Sequence, residues 1–293
     1  MSQAGPSPVI LIGAARSGTK YLRQLLAASE AACAVPYDVN YIWRTGNERH
    51  PDDRLDPASC TDAMARRIRR QLAKQAGAHR APGCRFLVEK TVSNTLRVPF
   101  VHRVYPEARF IHLIRDGRAV VESSLRQWEA KPDAGYLLKK LCSFPLSNWR
   151  YLLWFAGNAA RGLFGRKRPS LWGPRYPGVD DDLGRLSTLE ICARQWERCL
   201  ALATADLNAL PSDQVFTIHY EQLVGGVERL AELADFLGLP DRDALLAAHA
   251  EQTRAGNDEK WRQRLDAEQL CLIESIAGEQ LRAHGFLDSL GAD

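Results

Sequence analysis

The chain has 293 residues, of which 45% are hydrophobic and 25% are charged, and its formal net charge is +4. This length suffices for one α/β domain with a filled core, and the composition is ordinary for a soluble globular protein. The mild positive charge suits an anionic ligand, and the chain lacks the basic tails and motifs of nucleic-acid-binding proteins. We therefore expect no nucleic-acid partner.

The cysteines and the N-terminus bear on the compartment. The seven cysteines are scattered without a CxxC pair, and an odd count fits a disulfide framework poorly. We therefore expect buried free thiols in a reducing compartment. The first residues, MSQAGPSP, lack the layout of a signal peptide, and the apolar run Val9–Ile12 is too short to span a membrane. These features predict a cytoplasmic protein.

In chain order, the apolar patterns predict strands that alternate with helices. The predicted strands are Val9–Ile12, Arg85–Val88, Arg109–Ile114 and Gln214–His219. The predicted helices are Gly18–Ala28, a long basic helix from Asp56 and Pro57 to Ala76, Leu96–Tyr105, Gly117–Trp128, Val227–Leu237, Asp241–Ala250 and Asp266–Ala283. This order predicts an α/β fold with a central, mostly parallel sheet and helices on both faces. We expect a single domain over 1–293, with residues 130–188 as an insertion.

The segment PVILIGAARSGTKYLRQLL predicts a strand, a loop and a helix that together bind a phosphate. Free N–H groups and the helix dipole make a helix N-terminus an anion site. The loop combines two glycines, two hydroxyls and two cations, namely Gly13, Gly18, Ser17, Thr19, Arg16 and Lys20. The alternative is a plain turn with chance glycines.

A Walker A loop of an NTP-using enzyme is the obvious rival, with the pattern G-x-x-x-x-G-K-[ST]. Gly13 and Gly18 have the right spacing, but Thr19 and Lys20 stand in reversed order, and Tyr21 stands where a metal-binding hydroxyl would need to follow the lysine. These departures disfavour a magnesium-dependent kinase, which stays the alternative. A non-catalytic nucleotide-binding module is a third hypothesis.

A second informative segment is ARFIHLIRDGRAVVESSLRQW. Arg115 follows a predicted strand, and Ser123 lies about two turns along the next helix. An arginine and a serine in this arrangement can converge on one phosphate. An ordinary surface turn before an amphipathic helix is the competing interpretation.

Together the two segments resemble the sulfotransferase family, whose members transfer a sulfuryl group from 3′-phosphoadenylyl sulfate (PAPS) to a hydroxyl or amine. In that family R-S-G-T-[TS] holds the 5′-phosphosulfate, and R-D-x-R-x-x-x-x-S holds the 3′-phosphate. The matching residues are Arg16, Ser17, Gly18 and Thr19, then Arg115 and Ser123. The resemblance implies a fold similar to that of P-loop NTPases, and PAPS as co-substrate.

Three further elements resemble the bacterial and tyrosylprotein branches of this family. FLVEKTVSN implies an active-site lysine at Lys90, VFTIHYEQLV implicates Tyr220 in cofactor binding, and NDEKWRQRL implicates Lys260. The chain departs from the family at Ala15, where proline is common, and at Lys20, which replaces Thr or Ser and could add charge at the sulfuryl oxygens.

For catalysis, Arg16, Lys20 and Lys90 are the candidates that stabilise the leaving group, so we expect no metal. The histidine base of cytosolic-type members is absent, because Val92 follows Lys90-Thr91. Tyrosylprotein-type members use a glutamate about twenty residues after the loop arginine. Asp38 is the only carboxylate in that window, PYDVNYIW, so it is the candidate base, and a residue that caps the loop beside Pro36 is the alternative. Glu89 is the reserve candidate.

The insertion bears on the acceptor. Residues 137–168 combine seven basic side chains with aromatic ones and contain no acid. We expect a lid over the site, with peripheral contact at the inner membrane face as the alternative. The loop Trp172–Gly178 could stack against a sugar ring or be a simple turn. We expect the acceptor to be a hydroxyl of a small molecule, a carbohydrate or a lipid-linked glycan.

Overall fold

The computed structural model describes residues 5–78, 81, 83–129, 172–253 and 259–288. Its core is one sheet of five parallel strands in the order β2-β3-β1-β4-β5. The strands are β1 (Ser7–Ile12), β2 (Ala32–Ala34), β3 (Phe86–Glu89), β4 (Arg109–Ile114) and β5 (Val215–His219). The expectation of a mostly parallel α/β sheet is confirmed.

The described helices lie between and after these strands. They are α1 (Thr19–Leu26), α2 (Asn40–Trp43), α3 (Asp62–Gln75), α4 (Val98–Val104), α5 (Gly117–Glu129), α6 (Val179–Asp182), α7 (Thr188–Asn208), α8 (Tyr220–Gly225), α9 (Glu228–Leu237), α10 (Arg242–Gln252) and α11 (Ala267–Ala283). Short 3₁₀ helices cover Pro57–Ser59, Val92–Leu96, Ser212–Gln214 and Lys260–Gln263.

Alternation along β1 builds a core on each face of the sheet. Ile10 and Ile12 pack with side chains of α3, α4 and α7, whereas Val9 and Leu11 pack with those of α1, α9 and α10. All four β1 side chains are almost completely buried. Because helices bury the side chains of β1 on both faces of the sheet, the prediction of helices on both faces is confirmed.

Five of the described strands and helices were not predicted, namely β2, α2, α6, α7 and α8. Strand β2 has only three residues, Ala-Cys-Ala, and gives no periodic signal of its own. Helix α7 begins with a capping box, in which the Ser187 side chain accepts from the Glu190 N–H and Glu190 accepts from the Ser187 N–H. It packs Trp196 and Cys199 beside Ile114 and Val120, so α7 supports the end of β4 and the start of α5.

The prediction that Asp56 and Pro57 open the long basic helix was wrong. The Asp56 side chain accepts from the Ala58 N–H and caps only the 3₁₀ turn Pro57–Ser59. Cys60 and Thr61 are then extended, and Thr61 caps α3 by accepting from the Met64 N–H. The capping residues Asp56 and Thr61 lie only five residues apart, so the sequence pattern does not separate the 3₁₀ turn from the helix.

The expectation of free thiols throughout was also wrong. Cys33 and Cys84 form a disulfide with their Cα atoms 5.7 Å apart, whereas Cys60, Cys192, Cys199 and Cys271 are free. Cys33 lies on the edge strand β2, and Cys84 precedes β3, so the bridge spans two neighbouring chain segments. A separation of 51 residues hides this pairing from spacing rules.

The insertion is described only in its last part. Residues 130–171, and with them the predicted lid or membrane contact at 137–168, lie outside the described residues. Within the described ranges, no helix has both the length and the apolar character that a bilayer crossing requires.

Candidate active site

The predicted site residues lie along one edge of the sheet. Because all five strands are parallel, their carboxyl ends share that edge. Lys90 follows β3, the loop at Gly13 follows β1, Arg115 follows β4 and Tyr220 follows β5. Neighbouring strands are about 4.8 Å apart, so the ends of β3 and β4 flank the loop at about 10 Å from one another. We call this edge of the sheet, with the phosphate loop at its centre, the groove.

Gly18 lets the loop approach Tyr220. Its φ is +95°, and a Cβ there would lie 2.5 Å from Tyr220 Cδ2. At Gly13 a Cβ would lie 2.7 Å from the Leu113 carbonyl oxygen. Both contacts are far shorter than an ordinary carbon contact. The loop therefore needs glycine at both positions, for space at Gly13 and for space and backbone conformation at Gly18.

The side chains of the loop divide into inward and outward groups. Ser17 is buried, and its hydroxyl donates to the Ala14 carbonyl at 2.6 Å. Thr19 is also buried, whereas Lys20 is exposed on the first turn of α1. The reversed order of Thr19 and Lys20 thus leaves the ammonium group at the surface and the hydroxyl against the core.

Arg16 connects the loop to α5. It has a φ of +70°, a conformation that non-glycine residues adopt rarely and mostly at functional sites. Its Nε donates to Ser123 Oγ at 2.9 Å. Partial desolvation, together with the positive charges of Arg126 and Arg115, lowers the pKa of the Arg16 guanidinium. An anion bound among these cations would relieve their mutual repulsion.

Arg115 and Tyr220 form the far wall of the groove. The Arg115 guanidinium lies 4.2 Å from the centre of the Tyr220 ring, and Nη1 donates to the Arg16 carbonyl at 3.1 Å. Tyr220 is the first residue of α8 and is half-buried. The structure thus brings Arg16, Arg115, Ser123 and Tyr220 together, although the first two lie 99 residues apart in sequence.

The segment that carries Lys260 is held against α5. Trp261 is buried beneath the Arg118 guanidinium, which lies 4.4 Å from its ring centre. Arg264 donates to Glu122 at 3.0 Å, and Glu122 also accepts from Arg126 at 2.6 Å. Lys260 itself is exposed. Its segment is therefore anchored to the helix that carries Ser123, an arrangement that spacing alone did not reveal.

Asp38 and Lys90 form an ion pair at the other end of the groove. Lys90 Nζ donates to both carboxylate oxygens, at 3.0 Å and 2.8 Å, and the Val92 N–H donates to Asp38 Oδ1 at 3.1 Å. The Lys90 side chain is 9% exposed and that of Asp38 is 40% exposed. Lys90 is thus a buried cation and not a surface lysine, and its carboxylate partner is partly exposed.

Glu89 does not face the groove. It is completely buried, and it accepts from Thr91 Oγ1 at 2.5 Å and from Asn94 Nδ2 at 2.9 Å. Burial raises the pKa of Glu89 to about 7, against the lowering effect of the Thr91 hydrogen bond. A carboxylate so enclosed cannot touch an acceptor, which removes Glu89 as the reserve base.

A buried polar cluster around Asp53 was not predicted. Its carboxylate accepts from Arg44 at 2.9 Å, from Asn40 at 3.0 Å, from Ser93 at 2.9 Å and from the Arg175 N–H at 2.9 Å. Burial alone would raise the pKa of Asp53, but the charge of Arg97 and these hydrogen bonds lower it. Asp53 therefore joins α2, the turn after β3 and the loop Trp172–Gly178.

No three His, Cys, Asp or Glu side chains converge into a metal-binding group within the part of the chain that the structure describes.

Comparisons with known proteins identify the family of this chain. Residues 8–156 match the model of the Sulfotransferase family. Protein-tyrosine sulfotransferase 1 of Danio rerio is 24% identical over 251 residues, which cover 82% of this chain and 55% of the relative. The chain thus spans about half the length of that curated relative.

Two solved structures can be compared with this fold. The sulfotransferase domain from the curacin biosynthetic pathway superimposes with a TM-score of 0.50 and 15% identity, covering 92% of this chain and 96% of that domain. A sulfotransferase from Mycobacterium avium gives a TM-score of 0.49 and 12% identity over 97% of this chain and 78% of that one. The family model covers half of the chain, and the chain belongs to the sulfotransferase family. The first structure supports the sulfotransferase fold.

Proposed function

We propose that this protein transfers a sulfuryl group from PAPS to an acceptor hydroxyl by in-line displacement. One observation carries the proposal: a phosphate loop at the centre of the groove, with an arginine and an aromatic wall on one side and a lysine–carboxylate pair on the other. A nucleotide with phosphates at both ends of its ribose fits the phosphate loop and the arginine beside it. The lysine–carboxylate pair is then left for the acceptor and the transferred group.

PAPS is bound by the phosphate loop and by the residues around Arg115 and Tyr220. The free N–H groups at the start of α1, with Arg16 and Lys20, bind the 5′-phosphosulfate, because a helix N-terminus and two cations favour an anion. Ser17, Gly18 and Thr19 keep the loop in its conformation. The remaining residues, which bind the 3′-phosphate and the nucleotide, are Arg115, Ser123, Tyr220 and Lys260.

The transfer step uses Asp38 and Lys90. The acceptor oxygen forms a bond to sulfur while the bond from sulfur to the 5′-phosphate oxygen breaks. Asp38 takes the proton of the acceptor hydroxyl, and the departing phosphate keeps the electron pair. Lys90 and Arg16 neutralise the charge that develops on the leaving oxygen. Since Lys90 donates to both oxygens of Asp38, the ammonium must shift toward the sulfuryl group before Asp38 acts as a base.

The acceptor we propose is a hydroxyl of a carbohydrate or a lipid-linked glycan. The loop Trp172–Gly178 supports this choice, because Gln195 Nε2 holds its backbone by donating to the Trp172 and Pro174 carbonyls at 3.1 Å and 2.8 Å. Trp172 is half-exposed, and an exposed aromatic ring can stack on a sugar.

Binding and transfer assays test the proposal. PAP should bind without magnesium, and labelled PAPS should modify at least one member of a panel of glycans, lipids and phenols. Asp38→Asn should abolish transfer and leave PAP binding intact. Asp62→Asn is the matched control, because Asp62 pairs with Arg103 at the surface and should leave both activities unchanged. Binding that requires magnesium and ATP would favour the kinase alternative and refute the proposal.

A further inference from the structure

Glu89 lies behind the reacting pair and not within it. It is the last residue of β3, it pairs in register with Ile10 of β1, and Lys90 follows it directly. We propose that Glu89 is a positioning residue whose ionised carboxylate holds Lys90 and Asp38 in register. This inference rests on the proposed function, because it concerns the same reacting groups.

The first argument is the orientation of Asn94. Its Oδ1 accepts from Arg97 Nε at 2.9 Å, and arginine can only donate. The amide nitrogen of Asn94 must therefore face the other way, where it donates to Glu89 at 2.9 Å. Arg97 is itself fixed, since it is completely buried and donates to Asn40 Oδ1 at 2.6 Å.

The second argument is the direction of the Thr91 hydroxyl. Its oxygen accepts from the Val39 N–H at 3.1 Å, so its single proton is left for Glu89 Oε1 at 2.5 Å. Thr91 and Asn94 thus approach Glu89 as donors, and the Trp43 side chain also lowers its pKa as a hydrogen-bond donor. An ionised carboxylate accepts from all of them. A protonated carboxyl must place its own proton, and since Asn94 and Trp43 can only donate, the Thr91 hydroxyl has to turn to accept it.

The weakened bond would affect the reacting groups directly. Val39 follows Asp38 in the chain, and Lys90 lies between Glu89 and Thr91. The Thr91 link to Val39 and the Val92 N–H bond to Asp38 are therefore two parts of one clamp between residues 38–39 and 89–92. If the Glu89 bond no longer holds the Thr91 hydroxyl in this orientation, the bond from the Val39 N–H to its oxygen is strained, and Asp38 can shift within its bonds to Lys90 and Val92.

The charge on Glu89 changes in the neutral range. Burial raises its pKa to about 7, and the nearby charge of Asp38 raises it further, while Arg97 opposes the shift. Tyr105 of the adjoining helix α4 also faces Glu89. Transfer should therefore decline as the pH falls through neutrality, because a growing fraction of molecules has a protonated Glu89 and a loosened clamp.

Three variants test this assignment by pH profile. Glu89→Gln presents a donor where an acceptor is needed, so kcat should fall at least about tenfold and lose its acid limb, while PAP affinity stays unchanged. Thr91→Val should lower kcat similarly, and Thr91→Ser, which keeps the hydroxyl, should restore both kcat and the acid limb. A Glu89→Gln enzyme with wild-type kcat and an unchanged acid limb would overturn the inference.

A second measurement needs no acceptor. The backbone amide resonance of Val39 should titrate near neutral pH in the wild type and remain constant in Glu89→Gln. An amide that titrates in a protein with no transfer activity would refute the proposed function and leave the role of Glu89 in place. An amide that does not titrate in the active wild type would refute the role of Glu89 alone.

Discussion

Gly18 offers the sharpest test of the phosphate loop, through the substitution Gly18→Ala. The alanine must adopt a φ of +95°, which costs about 1–2 kcal/mol for an L-residue. Its Cβ would also lie 2.5 Å from Tyr220 Cδ2, about 1 Å closer than two carbons normally approach. Either the loop or the Tyr220 ring must therefore move by about 1 Å.

A matched control separates the two effects. Gly77 follows α3 with a φ of +68°, and no atom lies within 4 Å of where its Cβ would be. Gly77→Ala thus carries the backbone strain without the contact, and it lies at the end of α3, away from the phosphate loop. Both variants should lose about 1–2 kcal/mol of unfolding free energy from strain, and Gly18→Ala should lose more.

The distinguishing measurement is PAP affinity by calorimetry. Moving the loop by about 1 Å misdirects its N–H groups, so we expect Gly18→Ala to bind PAP about 30-fold more weakly, which corresponds to about 2 kcal/mol. Gly77→Ala should bind PAP as the wild type does. If Gly18→Ala keeps wild-type affinity, the loop does not hold the phosphate in the conformation described above.

Three further substitutions probe other parts of the molecule. Arg115→Ala should weaken PAP binding by about tenfold or more but adenosine 5′-phosphosulfate only slightly, because the latter lacks a 3′-phosphate; equal losses would argue against that role for Arg115. Asp53→Asn should cost about 3 kcal/mol or more of unfolding free energy in denaturant titration, since it leaves the buried charge of Arg97 without its counterion; a cost below about 1 kcal/mol would contradict this account. Burial lowers the pKa of His112 from 6.5 to about 3. The neutral imidazole therefore stabilises the fold at pH values above the unfolded-state pKa of 6.5, and this contribution is lost as the pH falls from 6.5 toward 3. His112→Gln should therefore flatten the acid side of a plot of Tm against pH, and an unchanged slope would assign the acid sensitivity to other groups.

The sequence was most informative where the signal is local. The phosphate loop and the strand before Arg115 are continuous segments, and their glycines, cations and apolar runs lie within a few residues of one another. Parallel strands then force their ends onto one edge, so the convergence of Arg16 and Arg115 follows from topology. Asp38 and Lys90 were each predicted, but only the structure shows them as an ion pair.

Long-range burial could not be predicted in this way. Asp53 stands in a polar stretch that looks solvent-exposed, yet its partner Arg175 lies 122 residues away and encloses it. The burial of Glu89 could not be predicted either, because an acidic residue next to a lysine gives no periodic pattern that distinguishes a buried position from an exposed one. Both residues depend on contacts between segments that no local pattern connects.

The burial of Glu89 sets stability against activity. The pKa of Glu89 rises from 4.5 to about 7 on folding. Its protonated form therefore contributes stability that is fully present at pH values below the unfolded-state pKa of 4.5 and is lost as the pH rises through 7. That difference corresponds to on the order of 3 kcal/mol, a sizeable share of the stability of an ordinary domain. The ionised form that aligns the reacting pair is thus the less stable form of the fold. Selection for stability alone would favour a neutral side chain that still accepts from Thr91 and Asn94, and selection for turnover would keep the charge of Glu89.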